Sequence, residues 1–300
     1  MRNAFVSALY DEAKKNRDIV LITGDLGFQL FDEFAADLPA QFINAGLTEQ
    51  SMMSMAAGIA STGKRVFVYS IANFSTLRCL EQIRNDVCYM NKSVVIVSVG
   101  SGFAYGALGY SHHATEDIAI MRSLPNMEVV SPSDKFEADV ITRMVAQTQR
   151  PTYLRLGKAG EPDLHSDYPI LNFGKFSELT SGGDGYIFFT GSIGLIAQRA
   201  KIELDSLGKS ITIVSVPFVS QLDEEFLQNI SIDKPIVVLE EHGRRGGLGA
   251  AFLEKFNELG IRSGIKHFAA SQEEISLTGS QDYLREKNGI SVKDIVKVFQ

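Results

Sequence analysis

Short runs rich in Val and Ile alternate along the chain with longer amphipathic stretches, and this alternation limits the possible folds more than any other feature. Apolar runs of this length, separated by helical stretches, are typical of parallel sheets whose two faces are covered by helices. The pattern therefore predicts an α/β fold. The predicted strands cover residues 19–22, 66–69, 94–99, 128–130, 187–190, 211–216 and 236–239.

Apolar residues recur at helical spacing between residues 48 and 62, and Gly63 supplies a plausible end to that helix. A second amphipathic stretch, residues 74–89, predicts another helix. Further helices are expected to begin near Ser192 and Asp223. Helices therefore separate the predicted strands in both halves of the chain.

The alternation weakens between residues 151 and 185, where Pro and Gly interrupt a stretch of mixed polarity. We place a linker at residues 161–184. The chain of 300 residues then divides into a domain of residues 1–160 and a smaller domain of residues 185–300. We expect two doubly wound domains, the first with a mainly parallel sheet and the second with a mixed sheet.

Composition excludes several classes of protein. The net charge of −7 and the pI of about 5.3 argue against a nucleic-acid surface or an anionic membrane surface. No apolar run approaches the roughly 18 residues of a membrane span. Residues 1–15 lack the apolar core of a secretory signal. We therefore expect a cytoplasmic protein that binds neither nucleic acid nor membrane.

In open parallel sheets, ligands bind beyond the carboxyl ends of the strands. The segments expected there include "NAGLTEQ", in which Glu49 begins a predicted helix. On the local pattern alone, an acid in the first turn would simply complement the helix dipole. The segments are "TGDLG" (23–27), "NAGLTEQ" (44–50), "SIANF" (70–74), "GSGFAYGALGYSHH" (100–113) and "RLGK" (155–158).

Taken together, these segments resemble the pyrimidine-binding domain of the transketolase family of thiamine diphosphate enzymes. Residues 170–300 resemble the C-terminal domain of that family, so the resemblance covers nearly the whole chain. The motifs that carry it are "GDLG", "FINAGLTEQSMMSMAAGIASTGKRVFVYS", "EQIRNDV", "SHHATEDIAIMRSLPNMEVVSPSD" and "PTYLRLGK".

The resemblance implies a catalytic role for Glu49. In the family this carboxyl group bonds a pyrimidine ring nitrogen of the coenzyme and promotes loss of the thiazolium proton. For this it must donate a proton near neutral pH, which requires an apolar setting that Met52, Met53 and Phe74 would provide. Phe74 also corresponds to the aromatic residue that packs on the pyrimidine, and Asp25 corresponds to an aspartate close to the coenzyme.

The resemblance also assigns substrate contacts. His112 lies where transketolases carry a histidine that faces the donor sugar, with His113 beside it. Arg2 and Lys158 occupy positions that hold the substrate's phosphate. Many transketolases carry an acid where this chain has Leu108, so we expect recognition of the sugar hydroxyls to differ.

The family also needs a domain that holds the diphosphate through a divalent cation, marked by Gly-Asp-Gly and a later Asn. The Gly-Asp-Gly at residues 183–185 precedes a predicted strand, so we interpret it as a turn. The resemblance therefore implies an N-terminal partner subunit that holds the diphosphate and Mg²⁺ or Ca²⁺. We expect a two-plus-two heterotetramer, or a homodimer when the chain is alone, with Met52, Met53 and Phe74 supplying apolar interface.

In the second domain, the glycine-rich segment 240–252 leads into a helix. Its glycines either allow close packing of strand and helix or provide a site for an anion. Glu240, Glu241 and His242 are candidates for interface contacts, and we expect none of them to be catalytic.

The leading interpretation is the C-terminal subunit of a two-chain transketolase, which moves a two-carbon ketol unit between sugar phosphates. Two related activities stay open: the beta subunit of a 2-oxo acid dehydrogenase decarboxylase component, and a deoxyxylulose phosphate synthase-like enzyme. A non-catalytic regulatory partner that retains the fold is the alternative from another class.

Overall fold

The computed structural model describes the backbone of residues 1–300 and every side chain except that of Gln272. The chain forms two α/β domains, each built on its own sheet. This confirms the predicted fold class. Over the described residues, no helix is both long and apolar enough to cross a membrane.

The first sheet is parallel throughout and has the strand order β2-β1-β3-β4-β6-β5. Nearly all residues of its central strands are buried, as expected for a sheet that is covered on both faces. Its strands are β1 (Ile19–Thr23), β2 (Phe42–Asn44), β3 (Arg65–Ile71), β4 (Val94–Val99), β5 (Glu128–Val130) and β6 (Thr152–Leu156).

Helices cover both faces of this sheet. The helix predicted over residues 48–62 is α3, and it buries Met52, Met53 and Ala56 against the sheet. The helices are α1 (Arg2–Lys15), α2 (Asp32–Asp37), α3 (Glu49–Ala60), α4 (Ala72–Ser75), α5 (Leu80–Gln82), α6 (Asp117–Arg122) and α7 (Lys135–Ala146).

The second sheet is mixed, with the order β11-β10-β8-β9-β7, because β7 runs antiparallel to β9. Its strands are β7 (Ser177–Thr180), β8 (Tyr186–Phe189), β9 (Thr212–Ser215), β10 (Ile236–Gly243) and β11 (Lys266–Ala270). Its helices are α8 (Gly194–Ser206), α9 (Glu224–Gln228), α10 (Leu248–Leu259), α11 (Gln281–Lys287) and α12 (Val292–Val296).

The region of weak pattern contains two strands that the alternation did not reveal. β6 is a buried interior strand although it carries Thr152, Tyr153 and Arg155, because those polar groups are hydrogen-bonded inside the protein. β7 lies within the predicted linker and is a short edge strand of mixed polarity. The domain boundaries themselves stay a prediction.

The single helix predicted over residues 74–89 is wrong in detail. The chain breaks at Thr76, whose ψ of −74° distorts the helix, and a 3₁₀ turn at Leu77–Cys79 follows. After α5, the segment Ile83–Tyr89 continues as a π-helix. Such irregular helical turns are frequent at functional sites, and this one determines where Arg78 lies.

A buried polar network joins the two domains. Arg155 of β6 donates to the Asp117 carboxylate at 2.7 Å and to the backbone oxygen of Glu241, in β10, at 3.0 Å. Glu241 in turn accepts from Arg285 of α11 and from the backbone N–H of Phe103. The second domain therefore helps to hold the long loop that follows β4.

Candidate active site

The predicted site segments meet at one edge of the first sheet. Chain order reverses direction between β1 and β3, and ligands bind at such switch points in doubly wound sheets. Asp25 follows β1 and Phe74 follows β3, while Glu49 enters from the end of β2. The topology therefore brings three separate segments to one cleft.

Glu49 is the first residue of α3, and its side chain is only 10% exposed. One of its carboxylate oxygens accepts a hydrogen bond from Nη1 of Arg78 at 3.2 Å. The Arg78 guanidinium also lies over the Phe74 ring, 4.0 Å from its centroid. Glu49 and Phe74 are thus joined through one cation that contacts both.

Phe74 also contacts the loop that carries the histidines. Its ring meets that of His112 edge to face, with centroids 5.3 Å apart. The neighbouring Asn73 donates through its amide nitrogen to the backbone oxygens of Ser111, at 3.1 Å, and His113, at 2.7 Å. These bonds fix the histidine loop relative to the aromatic residue.

Asp25 is linked to the segment that precedes Glu49. Its backbone N–H donates to the Asn44 side-chain oxygen at 3.0 Å, and the Asn44 amide donates back to the Asp25 carboxylate at 3.2 Å. The same Asn44 oxygen accepts from the N–H of Gly46. Asp25 adopts a φ of +56°, which is uncommon for a residue with a side chain. The turn at Asp25 therefore supports the approach to α3.

His112 and His113 have different environments. His112 is partly exposed on the Phe74 side of the loop, and its Nδ1 lies 3.0 Å from the Ser111 hydroxyl. His113 is buried, with Nε2 3.2 Å from the backbone oxygen of Gly106 and its ring edge-on to Phe103. The sequence placed both in substrate contact, whereas the structure brings only His112 to Phe74.

The two candidate phosphate contacts lie apart from the glutamate cluster, at the carboxyl end of β6 and the start of α1. Lys158 is exposed beyond β6. Burial raises the pKa of Tyr69 and of Tyr105, and the positive charge of Arg2 opposes that rise. Arg2 is therefore close enough to both phenols to influence their ionisation.

Met52 and Met53 are completely buried in the core, so they cannot form the interface that the sequence suggested. They face the sheet because they lie on the inner side of α3. Other apolar side chains near the site are exposed instead, to the extent of 40–79%. These are Phe28, Leu47, Met55, Leu77 and Leu108.

The glycine-rich segment of the second domain binds an anion that belongs to the chain itself. The Glu240 carboxylate accepts from the backbone N–H groups of Leu248 and Gly249, at 2.7 and 2.9 Å, and so occupies the start of α10. His267 donates to or accepts from the same carboxylate at 2.7 Å. Asp184 likewise accepts from the Ser210 N–H in the connection between β7 and β8.

Comparison with known proteins agrees with this arrangement. The transketolase pyrimidine-binding domain model matches residues 1–160, and the transketolase C-terminal domain model matches residues 174–295. The chain belongs to the transketolase family. This confirms the resemblance that the sequence motifs carry.

Several transketolase-family chains of similar length are similar to this one. One of the two subunits named for the apulose-4-phosphate transketolase of Phocaeicola vulgatus is 34% identical over 86% of this chain and 83% of its own length. A putative transketolase C-terminal section of Methanocaldococcus jannaschii is 34% identical over 99% of this chain and 94% of its own. A solved structure described as a split gene transketolase, inactive beta4 tetramer, superposes with a TM-score of 0.88, 31% identity and coverage of 100% and 96%.

Within this transketolase-family site, the sequence missed two residues that the structure brings in. Arg78 lies four positions after Phe74, a spacing that places two side chains on one helical face and could have drawn attention to it. Asn73 gave no such signal, because its role depends on backbone oxygens of a loop far along the chain.

Proposed function

We propose that this chain supplies the pyrimidine-binding half of a thiamine diphosphate-dependent transketolase, which transfers a two-carbon ketol unit between sugar phosphates. The observation that carries the proposal is the half-enclosed pair of Glu49 and Phe74 at the switch point of the first sheet. This combines a carboxyl group largely shielded from water with a flat apolar ring, on a chain of the transketolase family.

The residues present fit the aminopyrimidine of the coenzyme. A planar group that carries N–H donors already packs there, since the Arg78 guanidinium contacts the Glu49 carboxylate and the Phe74 ring together. An aminopyrimidine is also planar and bears nitrogen donors and acceptors. When bound, thiamine diphosphate supplies the electron sink that ketol transfer requires.

Each side chain then has a distinct task. Glu49 holds a proton at a pyrimidine ring nitrogen, and Phe74 positions the ring by packing. Asp25, bonded to Asn44, fixes the segment that leads to Glu49. His112 faces the donor sugar beside Phe74 and can exchange a proton with a hydroxyl group.

The remaining substrate contacts are proposed at the edge of the cleft. Arg2 and Lys158 hold the sugar phosphate as cations. For His113 we propose a supporting role in the loop, because it is buried and bonded to Gly106. Leu108 is exposed where many transketolases carry an acid, so the hydroxyl pattern of the accepted sugar is expected to differ.

The diphosphate and its Mg²⁺ or Ca²⁺ are proposed to be held by a separate N-terminal subunit. The relatives whose names describe one subunit or the C-terminal section of a transketolase support this division of the enzyme. The exposed apolar side chains around Glu49, including Leu47, Met55 and Leu77, fit the contact surface of such a partner. Two copies of each chain would form the assembly.

Reconstitution tests the proposal. The chain is mixed with an N-terminal transketolase subunit that carries the Gly-Asp-Gly motif, and thiamine diphosphate binding is followed by calorimetry alongside ketol transfer. We expect tight coenzyme binding and turnover from the mixture and neither from the separate chains. If no such subunit confers coenzyme binding, the proposal is wrong.

The proposed partner surface can be tested in the same mixture. Replacing Met55, on the exposed side of α3, with Asp is expected to weaken association by roughly tenfold or more, because a charge is buried in apolar contact. Leu253→Asp on α10, where the side chain is also exposed, is the matched control and should leave association unchanged. Equal association constants for the two variants would place the partner elsewhere.

A further inference from the structure

Arg78 makes two contacts that the proposed coenzyme site also needs. Its guanidinium donates to the Glu49 carboxylate at 3.2 Å and covers the Phe74 ring at 4.0 Å. A pyrimidine that bonds the same carboxylate and packs on the same ring must occupy the same space. The guanidinium and the pyrimidine therefore exclude each other.

The guanidinium matches the pyrimidine in chemistry as well as in position. It is planar, it carries N–H donors in its plane, and it stacks on aromatic faces. It also gives Glu49 a cationic partner, which offsets the cost of holding a carboxylate largely out of water. A neutral aliphatic side chain at this position would do neither.

Arg78 is held loosely compared with the buried arginines. Its side chain is 55% exposed, and among the described residues its hydrogen-bond partner is Glu49 alone. Arg65, by contrast, is buried and donates to Val145, Ser93, Arg150, Thr148 and Thr152. Arg78 can thus rotate into solvent without leaving buried donors unpaired.

We propose that Arg78 occupies the pyrimidine's place in the unassembled chain and is displaced when the coenzyme binds. This rests on the proposed function, because it concerns the same Glu49 and Phe74. Arg78 is a positioning residue: it keeps Glu49 and Phe74 in place for the coenzyme and competes with it. Coenzyme binding must break its ion pair and its ring contact, so removing it should strengthen coenzyme binding.

The test measures ligand affinity before turnover. The isolated chain is titrated with thiamine, which lacks the diphosphate, and the assembled pair is titrated with thiamine diphosphate. Arg78→Met should bind both ligands about three- to thirty-fold more tightly, the combined worth of an exposed ion pair and a cation–π contact. At saturating coenzyme, turnover should equal that of the unchanged enzyme.

Two further variants make the result specific. Arg78→Lys keeps the charge without the planar group, so its gain in affinity should be smaller than that of Arg78→Met. Arg84→Met removes the same charge from an exposed residue that bonds only its neighbour Asn85 among the described residues, and should change nothing. If thiamine alone binds too weakly to measure, the assembled pair decides.

The outcomes separate this inference from the proposed function. If the unchanged pair binds coenzyme and transfers ketol units while Arg78→Met shows equal or weaker affinity, Arg78 does not compete and only this inference fails. Weaker affinity would show that Arg78 holds the coenzyme. If no pair binds coenzyme, the proposed function fails and the role of Arg78 fails with it.

Discussion

Two arginine–carboxylate pairs lie on opposite sides of the long loop after β4, and they differ in almost every physical respect. Arg155 and Asp117 are 1% exposed, and Arg155 also donates to backbone oxygens of Ala114 and Glu241. Arg78 is 55% exposed and bonds Glu49 at 3.2 Å. The first pair is enclosed and stabilises the junction of the domains, whereas the second leaves its carboxylate accessible to a ligand.

The environments explain this difference. Burial alone would raise the pKa of Asp117, but the charges of Arg155 and His242 lower it below its usual value, so the carboxylate stays ionised inside the protein. Tyr153 adds a hydrogen bond at 2.6 Å. Glu49 has a single cation at the mouth of a cleft. The same two functional groups therefore serve architecture in one place and binding in the other.

The largest effect on stability is expected from Arg155→Met. It leaves Asp117 as a buried charge without its partner, which should lower the free energy of unfolding by about 3–5 kcal/mol. Chemical denaturation measures this. The double variant Arg155→Met with Asp117→Asn should recover part of the loss, since it removes the unpaired charge. A single variant as stable as the unchanged chain would contradict the distinction between the pairs.

A histidine pair at the same domain junction allows pH to switch one charge. Burial lowers the pKa of His165, but its hydrogen bond to Asp134 at 3.0 Å and the charges of Glu137 and Asp134 raise it above its usual value. Burial alone would raise the pKa of Asp134, but bonds from His165 and from backbone N–H groups lower it to about 2. His165 therefore stabilises the fold in its protonated form.

The sign of the pH dependence follows. The His165 contribution is complete below its unfolded pKa of about 6.5 and is lost as pH rises through the raised folded value. The Asp134 contribution is present above about pH 4 and is lost as pH falls through about 2. Both operate between about pH 4 and 6.5.

His165→Leu should therefore lower the free energy of unfolding by about 1.5–3 kcal/mol at about pH 5, the worth of a hydrogen bond to a charged group. The difference from the unchanged chain should shrink as pH rises above about 7. Denaturation curves at several pH values measure it. A difference that grows with rising pH would show that neutral His165 is the stabilising form.

The smallest effect on stability is expected from Arg78→Met. An exposed ion pair is worth about 0–1 kcal/mol, so the free energy of unfolding should change by less than about 1 kcal/mol. The same variant should strengthen coenzyme binding. A large loss of stability would mean that Arg78 belongs with the buried arginines, and the contrast between the two pairs would fail.

The sequence predicts most of the fold because the signal is periodic burial. Strands such as Val94–Val99 are buried at every position, and the site segments follow the ends of parallel strands as the fold requires. It does not reveal β6, where Arg155 is buried only because Asp117 and two distant carbonyl oxygens accept its hydrogen bonds. Such satisfaction depends on residues that are distant in the chain.

The site shows the same limit. Glu49, Phe74 and His112 were found because motifs carry them, and the structure brings Glu49 and His112 to opposite contacts of Phe74. The position of Arg78 could not be predicted from a regular helix over residues 74–89, because the break at Thr76 redirects the chain. Met52 and Met53 were misplaced because apolar residues near a cleft do not indicate which way they face.

Replacement of Glu49 by Gln in the assembled pair tests the central claim most directly. Gln keeps the size of the side chain and its hydrogen bonds but cannot exchange a proton, so turnover should fall by about 10²–10⁴-fold while coenzyme still binds. Glu81→Gln, at an exposed acid on the same segment as Arg78, should leave turnover unchanged. Full turnover by the Glu49→Gln enzyme would show that this carboxyl group takes no part in the reaction.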